Sequence, residues 1–135
     1  MKSTEYVSKK PLSWATADQA QNPYPYNNRD EYVLLNCNIK DIFNNTHQDI
    51  ALDVTDPIGG PNAFSYRLPK AIQHFQANQP MDYAIVGYNP YTKQVDFTNG
   101  RHRLAAAYQL GHEYVPVMVN ADHLDKFKRL VRTKD

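Results

Sequence analysis

The chain has 135 residues, 41% of them hydrophobic, with a formal net charge of +1 and one cysteine. That is enough chain for one domain with its own core. It has no apolar run near the ~20 residues of a membrane span. One thiol excludes an intrachain disulfide and argues against a cysteine-based zinc site, and so balanced a charge is not that of an obvious electrostatic nucleic-acid binder.

Residues 1–30 read as an irregular arm, and 31–135 as the folded domain. The start, MKSTEYVSKKPLSWATADQ, lacks an apolar segment of secretory type, so the expected location is the cytoplasm. NPYPYNNRD shows neither a helical nor a strand period, and its prolines block both. Trp14, Tyr24 and Tyr26 suggest that the arm docks on the domain rather than floating free. EYVLLNCNI, Glu31 to Ile39, is the first strand by its Val, Leu and Tyr content, and IKDIFNNT offers one or two helical turns. DIALDVTDPIGGPNAF is a loop by its Asp-Pro, Gly-Gly and Gly-Pro pairs. In FSYRLPKAIQHFQANQ, the residues Leu68, Ala71, Ile72 and Phe75 keep the i, i+3, i+4, i+7 spacing of a buried helical stripe. Pro69 is compatible with that helix only in its first turn, which puts the start near Tyr66 to Leu68.

YAIVGYN, Tyr83 to Asn89, is the second strand, NPYT a turn and KQVDFTN its hairpin return. A helix from about Arg101 to Leu110 stops at Gly111. EYVPVMV is the fourth strand, and ADHLDKFKRLVRTKD a basic C-terminal helix opened by Asp122, with Leu124, Phe127, Leu130 and Val131 inward. The order predicts an α/β (α+β) domain, a small mixed sheet with helices.

The segment VDFTNGRHRLAAAYQL sets Arg101, His102 and Arg103 between an Asn99-Gly100 turn and an alanine-rich helix. Positive charge there opposes the helix dipole, so something negative is expected beside it. Unpaired N–H groups at a helix start make an anion site whose usual occupant is phosphate. Gly100 permits a tight turn and close approach by a ligand. The guanidinium forks match phosphate oxygens, and His102 can donate or titrate near neutrality. A turn with solvated arginines is the competing reading, and the pattern alone leaves both open.

The run FTNGRHRLAAAYQLGHEYVPVMV resembles the core signature of the ParB/sulfiredoxin superfamily. There a strand enters a Gly-x-(His/Arg)-Arg turn, followed by a Leu-Ala-Ala-Ala helix, a Leu-Gly stop and a Val-Pro-Val strand. The matching residues are Gly100, His102, Arg103, Leu104 to Ala107, Leu110, Gly111 and Val115 to Val117. Including the helix near Arg67 to Phe75, the resemblance covers about Leu34 to Val119. The first thirty residues and the Asp49 to Asn62 loop have no counterpart in it.

The resemblance implies a nucleotide-phosphate site at this turn. Sulfiredoxins use ATP, ParB-type partition proteins bind and hydrolyse CTP, and related small proteins act as ATPases, as a free-amino-acid kinase or as nucleases. Asn99, Gly100, Arg101, His102 and Arg103 are the expected phosphate-binding residues, with Arg67 or Lys70 as a further basic group. Two departures matter. Where sulfiredoxins carry the catalytic cysteine and partition proteins usually glutamate, this chain has Arg101. Nor does this sequence read as containing a helix-turn-helix module or a dimerisation tail, so a complete partition protein is not expected.

Phosphoryl transfer would call for Mg²⁺ and a group to orient the nucleophile. Asp96, Asp56 and His102 are the catalytic candidates, with Asp53 on the same loop as Asp56. His47, His74, His112 and His123 show no metal-ligand spacing, and no resident protein metal site is expected. Tyr83, Tyr88 or Tyr91 could stack on a base. The expected function is therefore binding of ATP or CTP through its phosphates, with hydrolysis or phosphate transfer open. One alternative is a nuclease or nucleic-acid-binding effector of plasmid, phage or toxin type, using the basic C-terminal helix. The other is a non-catalytic regulatory or protein-interaction module docking through the N-terminal arm.

Overall fold

The computed structural model of the protein describes residues 11–46 and 67–134. The elements run α1 (Tyr24–Asn27), β1 (Tyr32–Asn38), α2 (Ile39–Asn44), α3 (Arg67–Gln76), β2 (Ile85–Asn89), β3 (Gln94–Asn99), α4 (Arg101–Gln109), β4 (Tyr114–Asn120), α5 (Leu124–Leu130) and β5 (Thr133–Lys134). The fold is mixed α/β: the five strands form one sheet in the order β3-β2-β4-β1-β5. β2 and β4 run parallel, and the other neighbours antiparallel. No helix among the described residues is long and apolar enough to cross a membrane.

Register assigns the core to one sheet face. Val86 lies opposite Phe97 and Val119, Cys37 opposite Val115, and Leu35 opposite Val117. These side chains share a cluster with Ile39, Ile42, Leu104 and Phe127 from the helices. Ile85 and Met118 oppose each other on the other face and are buried as well. On that face the ring of Tyr24 meets Tyr32 edge-on at 6.2 Å.

Helix ends follow local chemistry. Asn38 caps α2 by accepting the Asp41 N–H at 2.9 Å. In α3, Leu68 and Phe75 are buried, Ala71 and Ile72 half-buried, and Pro69 stands in the first turn. In α4, four consecutive residues, Leu104 to Ala107, are buried, because the helix packs on α3 as well as on the core. Alanines fit that crowding. Gly111, at φ +96, closes α4 while its N–H reaches Tyr108 O at 2.9 Å and that of His112 reaches Ala107 O at 3.1 Å. This is a Schellman ending.

The larger departures from the sequence reading are these. The proline-rich arm forms the single turn α1, because prolines at the start of a helix lose no intrahelical bond. β2 begins at Ile85 rather than Tyr83, because the Tyr83 N–H goes to Tyr26 Oη and its carbonyl to Arg103. α5 starts at Leu124, with His123 rather than Asp122 at its cap. The basic tail does not continue the helix: it turns into β5, which pairs with β1.

That last turn is clamped by Asp41. Its Oδ2 accepts from the Arg132 backbone N–H at 2.9 Å and from Nε at 2.8 Å, and Oδ1 accepts from Nη2 at 3.1 Å. The side-chain bond from Arg132 holds the Asp41 carboxyl below its ordinary value, against a smaller opposing effect of burial. A carboxylate depressed in the folded state contributes stability above its unfolded value of about 3.9 and loses it as pH falls through the folded one. The native chain is therefore expected to lose stability below about pH 4. Asp41→Asn should flatten that part of the profile, as read by urea unfolding across the acid range. Equal acid slopes in both proteins would show that the clamp does not contribute.

Candidate functional site: a cationic cleft at the start of α4

Gly100 joins β3 to α4 in the left-handed region, at φ +94. A Cβ at this position would stand 2.5 Å from Ala84 Cβ and 2.7 Å from Ala84 Cα. The glycine is thus required twice, by its dihedral and by Ala84 of the β2 lead-in beneath it. α4 then begins with no acidic residue in its first turn and no side-chain cap, so the positive end of its dipole is not offset locally.

This end of α4 opens on a cleft of about 760 Å³, a volume within the range of small-molecule sites. Asn99, Gly100, Arg101, His102, Arg103 and Lys70 all line it, which brings together six of the seven expected phosphate-binding residues. For the seventh, Arg67, only the backbone at the head of α3 is described. Asp53 and Asp56 lie outside the described residues. Asp96 is not in the lining: it is exposed on β3, and its Oδ2 accepts from Asn89 Nδ2 at 2.8 Å beside the hairpin turn. Thr98, two residues on, does reach the cleft.

Arg103 has a structural duty besides. Its Nη1 donates to Tyr83 O at 3.1 Å and, at 3.4 Å, to Asp82 O and Asn99 Oδ1. Burial pulls this guanidinium below its ordinary value, with the Asp82 charge opposing; a guanidinium stays charged regardless. It ties the start of α4 to the segment leading into β2. His102 is half-buried and has its Nε2 enclosed.

The sequence reading missed several wall residues: His74, Asp82, Gln19 and Gln21. His74 is held by Nε2 against Pro80 O at 2.9 Å. Asp82 accepts the backbone N–H groups of Gln21 at Oδ1 and of Asn22 at Oδ2, each at 3.0 Å. Those two bonds cross about sixty residues of sequence, and no local signal could have announced them. The described part of the arm is docked through aromatic contacts. Trp14 stacks on Tyr83 and meets Phe75 edge-on, and Tyr26 also stacks on Tyr83. Tyr83 is thereby engaged with the arm, and Tyr88 meets His123 at the cap of α5 and Lys126 within it. Tyr91 is exposed in the hairpin turn, away from the cleft.

The charge of the lining is lopsided. Lys70, Arg101 and Arg103 supply three basic side chains, while Asp82 is the only carboxylate among the described lining residues. The chain as a whole is close to neutral, so positive charge has been gathered here. No group of three potential metal-ligating side chains occurs among the described residues. Cys37 is fully buried, and burial pushes its thiol up to about 12. Such a cysteine is an inert core residue.

The fold and site define a small mixed α/β domain with a cleft lined by basic side chains at a strand-to-helix turn. No protein-family model matches the chain, and neither the curated proteins nor the solved structures contain a match.

Proposed function

We propose that this chain is a nucleotide-binding domain of ParB/sulfiredoxin-like type, acting in the cytoplasm and holding ATP or CTP by its phosphates in the cleft at the start of α4. The observation that carries this reading is the convergence of Lys70, Arg101 and Arg103 on the uncapped start of α4, in a cleft large enough for a nucleotide. The helix dipole and the forked guanidinium donors both favour an oxyanion. Among the described residues no group of three potential metal-ligating side chains occurs, so protein ligands alone would not hold a Mg²⁺ ion in this cleft. Any Mg²⁺ in this reading arrives with the phosphates it neutralises.

Hydrolysis or phosphate transfer is the reaction such a site would serve, and His102 is the catalytic candidate that lines it. Binding without turnover is a second reading, favoured by the engagement of Asp82 with the arm. The nucleic-acid alternative draws less support. Of the basic tail, Arg132 is held by Asp41, and Lys126 and Lys134 sit over Tyr88 and Tyr114.

Isothermal titration with ATP and CTP, with and without Mg²⁺, is expected to give saturable heat that weakens as salt is raised. The absence of heat at millimolar triphosphate would end the proposal. Phosphate release measured on the same samples separates turnover from binding alone.

A further inference from the structure

Asp82 is out of place in a cleft meant for phosphate alone. Among the described lining residues its companions are neutral or basic, and a carboxylate there lowers affinity for a bare polyanion. It is also carefully oriented. Gln21 and Asn22 each donate a backbone N–H to a different oxygen. An ionised carboxylate has about four acceptor positions, so each oxygen keeps capacity for another donor. Asp82 is half-buried and lines the cleft, next to the neutral amides of Gln19 and Gln21. A charged acceptor in such a place is matched by hydroxyl donors on the ligand, and paired sugar hydroxyls are what acidic side chains hold in dinucleotide sites.

We infer that the corner where the arm meets Asp82 is a sugar subsite, so that the ligand is a ribonucleotide and Asp82 determines that specificity. This deepens the nucleotide reading and rests on it. The arm is a positioning element: its two N–H groups fix both carboxylate oxygens.

The test compares ATP and CTP with their 2′,3′-dideoxy forms and with inorganic tripolyphosphate, by titration into the native chain and into Asp82→Asn. The native chain is expected to bind the ribonucleotide about tenfold or more tighter than the dideoxy form, as befits hydrogen bonds to a charged acceptor. Asp82→Asn should bind the two alike while holding tripolyphosphate at least as tightly as the native chain. A merely structural role would weaken all ligands together and leave the ribo-to-dideoxy ratio intact. Trp14, the single tryptophan, stacks on Tyr83 beside Asp82, so its fluorescence reports whether the arm stays docked in the variant. Equal binding of ribo and dideoxy forms by the native chain overturns the inference and leaves the nucleotide reading standing. Full discrimination retained by Asp82→Asn also overturns it. Failure of every phosphate compound to bind removes both.

Discussion

Gly100→Ala is expected to lower stability by about 2–4 kcal/mol, combining left-handed strain with overpacking, and to abolish anion binding. The added methyl would meet Ala84 at 2.5 Å from Cβ and 2.7 Å from Cα. Ala84 cannot easily yield. It is fully buried, and its carbonyl accepts the Met118 N–H at 3.0 Å, which ties it to β4. The strain must then be relieved at the turn itself, where it would redirect the first N–H groups of α4. The two contributions separate in a pair of variants. Ala84→Gly combined with Gly100→Ala removes the methyl–methyl clash but leaves the positive φ and the nearby backbone, so it should recover only part of the loss. Urea midpoints give the stability, and titration with triphosphate gives the binding. A Gly100→Ala chain with native midpoint and native affinity would mean that the turn is neither tight nor part of the site.

Arg103→Ala should weaken triphosphate binding by about 100-fold, the scale of losing charge-assisted bonds to phosphate. It should also cost about 1–3 kcal/mol of stability, because the carbonyls of Asp82 and Tyr83 lose a buried donor. The double effect follows from geometry. Nη1 alone makes the three described bonds to Tyr83, Asp82 and Asn99, and a guanidinium has five N–H donors in all. Arg103→Lys distinguishes the two duties. A single ammonium keeps the charge but cannot fork between the carbonyls and a ligand, so stability should recover more than affinity does. Native affinity in Arg103→Ala would exclude this residue from the anion site. Loss of affinity with no change in stability would mean that its bonds to the β2 lead-in contribute little.

Arg103 and Asp82 also mark how far sequence reasoning reached into the site. The turn, the two arginines and the helix that follows are contiguous, and local rules suffice for them. Asn-Gly bends the chain, alanines favour helix, and Gly111 ends it, so residues 99–103 and the run of α4 could be read directly. Lys70 comes from the superfamily resemblance, on a helix that periodicity alone places. Asp82 lies in QPMDYAIVGY and reads there as a polar residue before a strand. Only the docking of Trp14 and Tyr26 on Tyr83 brings Gln21 and Asn22 to its oxygens. Asp96 shows the converse. Alternation along β3 sets it on the face of Thr98, but its bond to Asn89 and its position near the hairpin turn keep it out of the cleft.

By itself, then, the sequence determined the helices and strands with clear periods, the mixed α/β class and the charge at the β3–α4 turn. Those depend on backbone preferences and side-chain spacing within a few residues. Tertiary structure decided where the arm docks, why β2 starts two residues late, why the tail leaves its helix to pair with β1, and which carboxylate enters the cleft. Each of these is settled by a partner distant along the chain: Met81 for the arm, Arg103 for the β2 lead-in, Asp41 for the tail and Gln21 for Asp82. Local propensity is silent on such pairings, because they form only when packing brings the two segments together.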